Sequence, residues 1–318
     1  MAGDIKQVAI LGAGTMGPGI AQIMAGAGAG VRLYDISADA LTRAKTLLRG
    51  GVEAAVKRGT LGEDGAEALL ARVEYTASLE HALDGADMVM EAIVENRDVK
   101  ARLYQQLDEL LPMESVIASN TSFLNIFELM PQRRLPKTVI AHWYSPPQVV
   151  PLVELCPCES TEPEVLQRVT ALLKRGGKSP VVMKKFIQGY IVNRLQMCLN
   201  QEVYYLLDNG YCTPEDIDVA IKASFLPRAM VLGILQKTDF GGLQMTANNY
   251  RNKSYTLPPE VDMPKTLQEH LDRGETGVAA GKGYYDYTGK DVNQLYAKRD
   301  EQLFRAYQLQ KELMEDPI

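Results

Sequence analysis

Short β-rich runs alternate with longer helical runs over residues 8 to 183, and this alternation restricts the fold more than any other feature of the sequence. Val8-Ala9-Ile10-Leu11 is an apolar run of strand length, followed by a glycine-rich turn and a helical pattern from about Met16 to Ala25. Val31-Arg32-Leu33-Tyr34 is the next strand, and Ser37 stands where it can cap a helix whose apolar face reads Leu41, Ala44, Leu48 and Val52. Helical patterns through Leu69 and Leu70, through Leu79 and Leu83, and over Val99, Leu103, Leu107 and Leu110 separate strands predicted at residues 73–75, 88–90 and 116–118. Later strands are predicted at residues 139–141, 152–155 and 180–183. Strand-helix-strand crossovers are right-handed, so their repetition winds helices onto both faces of one sheet. The sequence therefore predicts an α/β fold with a doubly wound, mostly parallel sheet.

Beyond Met183 the pattern changes. A polar connector over residues 184–189 leads into segments that all read as helical, beginning with residues 190–209, which Gly210 closes as a left-handed residue after the helix. Thr213 and Pro214 then open another helix as N-cap and first-turn proline. The predicted division is residues 1–187 for the α/β domain and 188–318 for a smaller all-α domain. Ile191, Val192, Leu195, Leu199, Val203, Leu206 and Leu207 make the first long helix apolar on more than one face, which predicts a buried helix at a subunit interface and hence a homodimer. Residues 294–315 read as one solvated amphipathic helix.

Composition excludes several classes. At 318 residues with 46 % hydrophobic and 23 % charged residues, the chain is neither disordered nor fibrous. Its 40 acidic and 34 basic residues give a formal charge of −6 with no basic stripe, so nucleic acid is not an expected partner. The uncharged stretch from Gln7 to Val31 has the hydropathy of a signal or membrane segment, but its seven glycines and Pro18 break the continuous helix that a membrane would need. Cys156, Cys158, Cys198 and Cys212 are too few and too irregular for a disulfide framework and read as free thiols of a cytoplasmic protein. No cluster of ligands suggests a metal.

Gly12-Ala13-Gly14-Thr15-Met16-Gly17 matches G-x-G-x-x-G, a weak motif that gains force from its place between a strand and a helix, with Asp35 closing the next strand. In a Rossmann-type site the first glycine permits the tight turn, the second lets backbone approach a pyrophosphate, and the third lets helix pack on strand. The helix N-terminus then faces the phosphate charge. Asp35 would accept from the adenosine ribose hydroxyls and repel a 2′-phosphate, which favours NAD over NADP, and Arg32 on the same strand softens that choice. Glycines that merely satisfy turn geometry are the alternative.

Of three histidines, His81 and His270 lie in charged helical settings and read as solvated. His142 instead emerges from Val139-Ile140-Ala141 at the carboxyl end of a strand, where open α/β sheets bind ligands. Twelve residues on, Glu154 is the sole charge in Pro151-Leu152-Val153-Glu154-Leu155, and an acid in an apolar strand needs a partner. A carboxylate holding one imidazole N–H leaves the other nitrogen to take a hydroxyl proton as hydride departs, which is what a dehydrogenase base requires. A buried structural pair is the alternative reading.

These residues, together with Glu91-Ala92-Ile93-Val94-Glu95-Asn96, Ser119-Asn120-Thr121-Ser122, Gly189-Tyr190-Ile191-Val192-Asn193-Arg194 and Gly281-Lys282-Gly283-Tyr284-Tyr285-Asp286-Tyr287, resemble the L-3-hydroxyacyl-CoA dehydrogenases and their relatives acting on free hydroxy acids, over nearly the whole chain. The resemblance implies an NAD-dependent oxidoreductase with His142 as base and Glu154 as its partner, and with Ser122 and Asn193 on the substrate oxygen. It also implies that Glu95 and Lys100 lie near the cofactor, and that Thr15, Met16 and Asn120 belong with Gly12, Gly14, Gly17 and Asp35 among the cofactor-binding residues. Read without the resemblance, Ser122 could cap a helix starting near Leu124, Asn193 could simply begin a helix, and Glu95 and Lys100 could be a solvated pair.

The chain departs from that pattern in two informative places. The acyl-CoA enzymes carry His followed by two Phe and Asn-Pro, whereas here the run is His142-Trp143-Tyr144-Ser145-Pro146-Pro147. This run is more similar to the branch acting on small free acids or alcohols of the gulonate, carnitine or pyridine-alcohol type. The helix that would supply a Ser and a Lys to CoA ends in Lys57 and Arg58 but has no Ser over residues 50–59. Trp143 and Tyr144 could stack on a cyclic substrate, or belong to the core. The expected reaction is hydride transfer between NAD and the 3-position of a 3-hydroxyacyl-CoA, in fatty-acid metabolism, or of a related hydroxy acid. Alternatives are a small free hydroxy acid or alcohol with no CoA, or a non-catalytic NAD-binding protein of the crystallin kind.

Overall fold

The computed structural model describes residues 4–316, and the chain divides into two compact units at Ile191 and Val192. The division falls after residues 188–191, which the sequence reading gives to the helical part. They stay with the first unit because the Tyr190 hydroxyl donates to the Thr121 carbonyl at 2.7 Å and the Ile191 N–H to Glu154 Oε1 at 3.0 Å.

The first unit is built on eight strands: β1 (Gln7–Leu11), β2 (Gly30–Tyr34), β3 (Val73–Thr76), β4 (Met88–Glu91), β5 (Val116–Ser119), β6 (Thr138–Trp143), β7 (Leu152–Pro157) and β8 (Ser179–Val182). They form one sheet in the order β3-β2-β1-β4-β5-β6-β7-β8. Pairing is parallel from β3 through β6, antiparallel between β6 and β7, and parallel again between β7 and β8. The single reversal follows from the connection: residues 144–151 join β6 to β7, a link short of the dozen or so residues that a parallel crossover takes. The parallel pair β5 and β6 is joined by residues 120–137, which hold only short 3-10 turns, and helices carry the other crossovers: α1 (Gly17–Gly26), α2 (Ala38–Lys57), α3 (Glu63–Ala71), α4 (Leu79–Leu83), α5 (Arg97–Leu110) and α6 (Pro163–Arg175). The strand order reverses between β1 and β4, and the crevice at their carboxyl ends is where such sheets take ligands.

Alternating side chains divide the core between the two faces of the sheet. Val8 and Ile10 of β1 pack in one apolar cluster, Ala9 and Leu11 in the other. α2 sets Ala44, Leu48 and Val52 into the first cluster, and Ser37 caps it by accepting the Ala40 N–H at 3.2 Å. Burying Leu48 stabilises the unit by about 2 kcal/mol.

The second unit is helical: α7 (Val192–Asp208), α8 (Pro214–Ala220), α9 (Leu226–Gly241), α10 (Leu243–Asn252), α11 (Lys265–Asp272) and α12 (Val292–Glu315). Gly210 (φ 68°) supplies the left-handed turn after α7, and Thr213 with Asp216 closes a capping box on α8. α9 is interrupted at Gly233 (φ 67°). The sequence reading expects α7 to be buried; within the single chain no residue of α7 is, and Leu195 and Met197 are exposed. The reason is that this unit has little interior of its own: among its described residues the one buried hydrophobic is Ile217. His270 departs from expectation the other way, since it meets Glu275 at 2.7 Å and stacks edge-on against Tyr284 instead of lying in solvent. Among the described residues no helix is long and apolar enough to cross a membrane, and all four cysteines are free.

Candidate active site

At the carboxyl end of β1 the chain turns through Gly12 (φ 110°), whose N–H donates to the Tyr34 carbonyl at 2.8 Å. A Cβ at Gly12 would overlap the Ala92 carbonyl oxygen, and one at Gly17 the Gly12 carbonyl oxygen, so both positions are closed to larger residues. Gly14 has open space where its Cβ would be, and it lines a cleft of about 400 Å³ with Gly12, Asp35, Ile36, Ala92 and Arg102. Asp35 is fixed at that rim by accepting the Ala13 N–H at 2.8 Å and the Ser37 N–H at 2.9 Å, and a carboxylate retains further lone pairs for ribose hydroxyls. Bare backbone beside the start of α1, with an acid at the end of β2, fits the phosphate and ribose of a dinucleotide. Thr15 is exposed in this turn and Met16 precedes α1 as its cap residue, without a side-chain cap bond. Arg32 does not join Asp35. Its guanidinium reaches Glu74 at 3.2 Å and the His81 and Asp84 carbonyls, because β2 turns it toward α4.

Behind the crevice lies a buried polar cluster that the sequence reading missed. Glu91, at the end of β4, accepts from Lys100 Nζ at 2.6 Å, the Tyr104 hydroxyl at 2.7 Å, the Ser119 hydroxyl at 2.5 Å and the Ile93 N–H at 2.9 Å. Burial first, and the Glu91 charge second, push the Tyr104 phenol well above its usual range, so it remains a donor. Lys100 also lies 3.3 Å from Glu95, and Glu95 Oε1 takes the Thr121 hydroxyl at 2.6 Å and the N–H groups of Ser122 and Phe123 at 2.8 and 3.0 Å. Burial raises the Glu95 carboxyl, but these donors and the Lys100 charge outweigh it and hold the group below the ordinary carboxylate range. Glu95 and Lys100 are therefore not a solvated pair; they fix the turn that carries Ser122. Ser122 caps no helix, since Thr121 accepts the Leu124 N–H at 3.0 Å and the next helical residues are the short turn Ile126–Glu128.

β6 and β7 bring the second constellation together. Antiparallel register sets His142 directly opposite Glu154, with Nδ1 3.2 Å from Oε2, and both residues are buried. A carboxylate only accepts, so Nδ1 carries the proton of the neutral ring and Nε2 is left with a lone pair. Tyr144 donates its hydroxyl to the same Oε2 at 2.6 Å, and its ring stands edge-on to the imidazole at 4.6 Å. Tyr190 holds the imidazole from a second side, its ring 4.7 Å away. It is a buried non-glycine residue at φ 53°, a left-handed conformation held by its hydroxyl bond to Thr121. Asn120 braces the end of β6, its Oδ1 accepting the Trp143 N–H at 2.8 Å. Trp143 points away from the site into the core, where Lys178 Nζ lies 5.5 Å over its ring, so it is not available to stack on a substrate. Lys178 also donates to the carbonyls of Pro147 and Val150, which anchors the loop from Tyr144 to Pro151. Asn193 is the second residue of α7, in the other unit. Lys57 ends α2, and Arg58 follows as its C-cap residue.

The NAD-binding domain profile of 3-hydroxyacyl-CoA dehydrogenase matches residues 7–186, and the C-terminal domain profile of the same enzyme matches residues 189–287. The chain belongs to the 3-hydroxyacyl-CoA dehydrogenase family. This dehydrogenase is 30 % identical to 5-formyl-3-hydroxy-2-methylpyridine 4-carboxylate 5-dehydrogenase of Mesorhizobium japonicum, over 94 % of its own chain and 96 % of the relative. A crystal structure of a 5-formyl-3-hydroxy-2-methylpyridine 4-carboxylic acid 5-dehydrogenase, an NAD+-dependent dismutase, superimposes with a TM-score of 0.86 at 28 % identity, covering 96 % of this chain and 99 % of that one. The (S)-3-hydroxybutyryl-CoA dehydrogenase of Ralstonia eutropha gives a TM-score of 0.72 at 29 % identity, covering 90 % and 100 %. The protein is thus an NAD-dependent oxidoreductase acting on a CH–OH group.

Proposed function

We propose that this dehydrogenase acts on a small free hydroxy acid or a ring-bearing alcohol or aldehyde, without CoA. The observation that carries the reading is the closeness of the structural match. A pyridine-carboxylate dehydrogenase superimposes over 96 % of the chain with a TM-score of 0.86. CoA-type enzymes superimpose less closely, with TM-scores of 0.72 over 90 % of the chain and 0.65 over 96 %. The missing Ser over residues 50–59 supports the same reading.

In this reading NAD supplies the hydride acceptor, and the chain supplies the proton chemistry. His142 Nε2 takes the hydroxyl proton as hydride leaves the same carbon, and returns it when the carbonyl is reduced. Glu154 holds Nδ1–H and stabilises the imidazolium that forms. Ser122 donates to the substrate oxygen. Asp35 holds the adenosine ribose of NAD, while Glu95 and Lys100 act near the cofactor by fixing the Ser122 turn. The exposed apolar face of the second unit is covered by a second copy of the chain, giving a homodimer, and its free thiols suit a reducing cytoplasm.

The test is NADH oxidation with acetoacetyl-CoA set against free acetoacetate, small keto acids and pyridine carbaldehydes bearing a carboxylate. The reading expects kcat/KM at least about tenfold higher for a free acid or pyridine, which is 1.4 kcal/mol of transition-state preference. A preference of that size for acetoacetyl-CoA overturns it, and makes Lys57 and Arg58 the CoA contacts to examine.

A further inference from the structure

We propose that Tyr144 is a positioning residue of this reaction: by donating to the oxygen of Glu154 that also faces His142, it limits how much of the carboxylate charge reaches the catalytic imidazole. The inference rests on the reading of His142 as base.

Two donors converge on Glu154 Oε2, and they are unequal. The Tyr144 hydroxyl lies at 2.6 Å, His142 Nδ1 at 3.2 Å. A hydroxyl-to-carboxylate bond of that length is the strong, charge-assisted kind, whereas an N–H bond at 3.2 Å is at the long end of the normal range. Oε1 is engaged separately by the Ile191 N–H at 3.0 Å. Donors on a carboxylate favour its ionised form, so Tyr144 keeps Glu154 charged and discourages it from drawing the proton off His142 Nδ1. The same bond draws electron density from Oε2 and weakens its hold on Nδ1–H.

The ring has a second task. At 4.6 Å and 70° to the imidazole, with the Tyr190 ring at 4.7 Å on another side, it restricts rotation of His142 and so the aim of Nε2. The hydroxyl bond fixes that ring in turn.

Phenylalanine at 144 keeps the ring and removes the donor, which separates the two tasks. The direct readout is the His142 Nδ1–H proton resonance in 15N-histidine-labelled, NAD-bound full-length enzyme, assigned by its loss in His142→Gln. In Tyr144→Phe, Oε2 loses this donor, its hold on His142 strengthens and Nδ1–H moves downfield, while the resonances of His81 and His270 stay in place. Replacing Tyr144 by a ring-fluorinated tyrosine, a stronger donor of nearly the same shape, moves Nδ1–H upfield; this second variant guards against a packing change in the first. On the best substrate of the panel above, kcat of Tyr144→Phe falls about fivefold, the worth of one ordinary hydrogen bond, with KM within twofold. Nδ1–H unmoved in both variants, or an unchanged kcat in Tyr144→Phe, overturns the inference. The resonance needs no substrate, so its result stands apart from that of His142→Gln turnover, which tests the underlying reading.

Discussion

Replacing Lys100 by Met removes an ammonium from the middle of a buried cluster while keeping most of its apolar stem. Lys100 and Glu91 have side-chain exposures of 1 % and 0 %, with 2.6 Å between Nζ and Oε1. Removing one partner of such a pair costs about 3–5 kcal/mol, because the other charge is left uncompensated away from water. Here the Tyr104 and Ser119 hydroxyls and the Ile93 N–H still reach the Glu91 carboxylate, which places the loss at the lower end, about 3 kcal/mol. Pairing the change with Glu91→Gln removes the stranded charge, so the double variant recovers more than half of the loss, and the two substitutions couple by about 1.5 kcal/mol or more. Urea unfolding of the full chain measures all four members of the cycle at one pH. A loss below about 1 kcal/mol for Lys100→Met, or strictly additive effects, would refute the reasoning that the pair is a single buried unit.

Gly12→Ala meets both a left-handed backbone and the Ala92 carbonyl, so NADH affinity, read by fluorescence titration, falls at least about tenfold, a cost of 1.4 kcal/mol or more; retained affinity contradicts the fit of this turn to the dinucleotide. Asp35→Ala narrows the preference for NAD over NADP, and an unchanged ratio of their kcat/KM values contradicts the ribose contact. Lys282, Arg273 and His270 hold the Glu275 carboxyl down to about 2. A group depressed on folding contributes stability that is present above its unfolded value and lost as pH falls through the folded one. The stability advantage of wild type over Glu275→Gln is therefore full above about pH 4.5 and fades toward pH 2, and an advantage that grows with acidity contradicts the ion cluster. Sedimentation of the purified chain gives a dimer; a monomer at micromolar concentration contradicts the covering of the second unit by a second copy.

Much of this architecture is legible in residue order, since the strands of the sheet lie on apolar runs and every parallel crossover but that from β5 to β6 lies on a helical period. The reversal at β7 is less so: hydropathy marks the strand but not its direction, which follows only from the short 144–151 connection. Within the site, the rule that singles out Glu154, a lone acid in an apolar strand, applies equally to Glu91 at the end of Met88-Val89-Met90 and would have exposed the Lys100 cluster. Strand alternation likewise gives Trp143 to the face opposite His142, hence to the core. Tyr144 and Tyr190 are different. An aromatic residue after a strand does not disclose where its hydroxyl goes, and Tyr190 reaches the imidazole only through a left-handed backbone that its residue type does not announce.

The most direct test of the account is His142→Gln, assayed for turnover on the preferred substrate and for NADH binding by fluorescence. Loss of a positioned general base removes about 10²–10⁴-fold of rate. The account predicts a fall in kcat within that range with the NADH dissociation constant within twofold of wild type. Turnover within tenfold of wild type, or loss of NADH binding along with activity, would contradict the assignment of His142 and Glu154 as the proton-transfer pair.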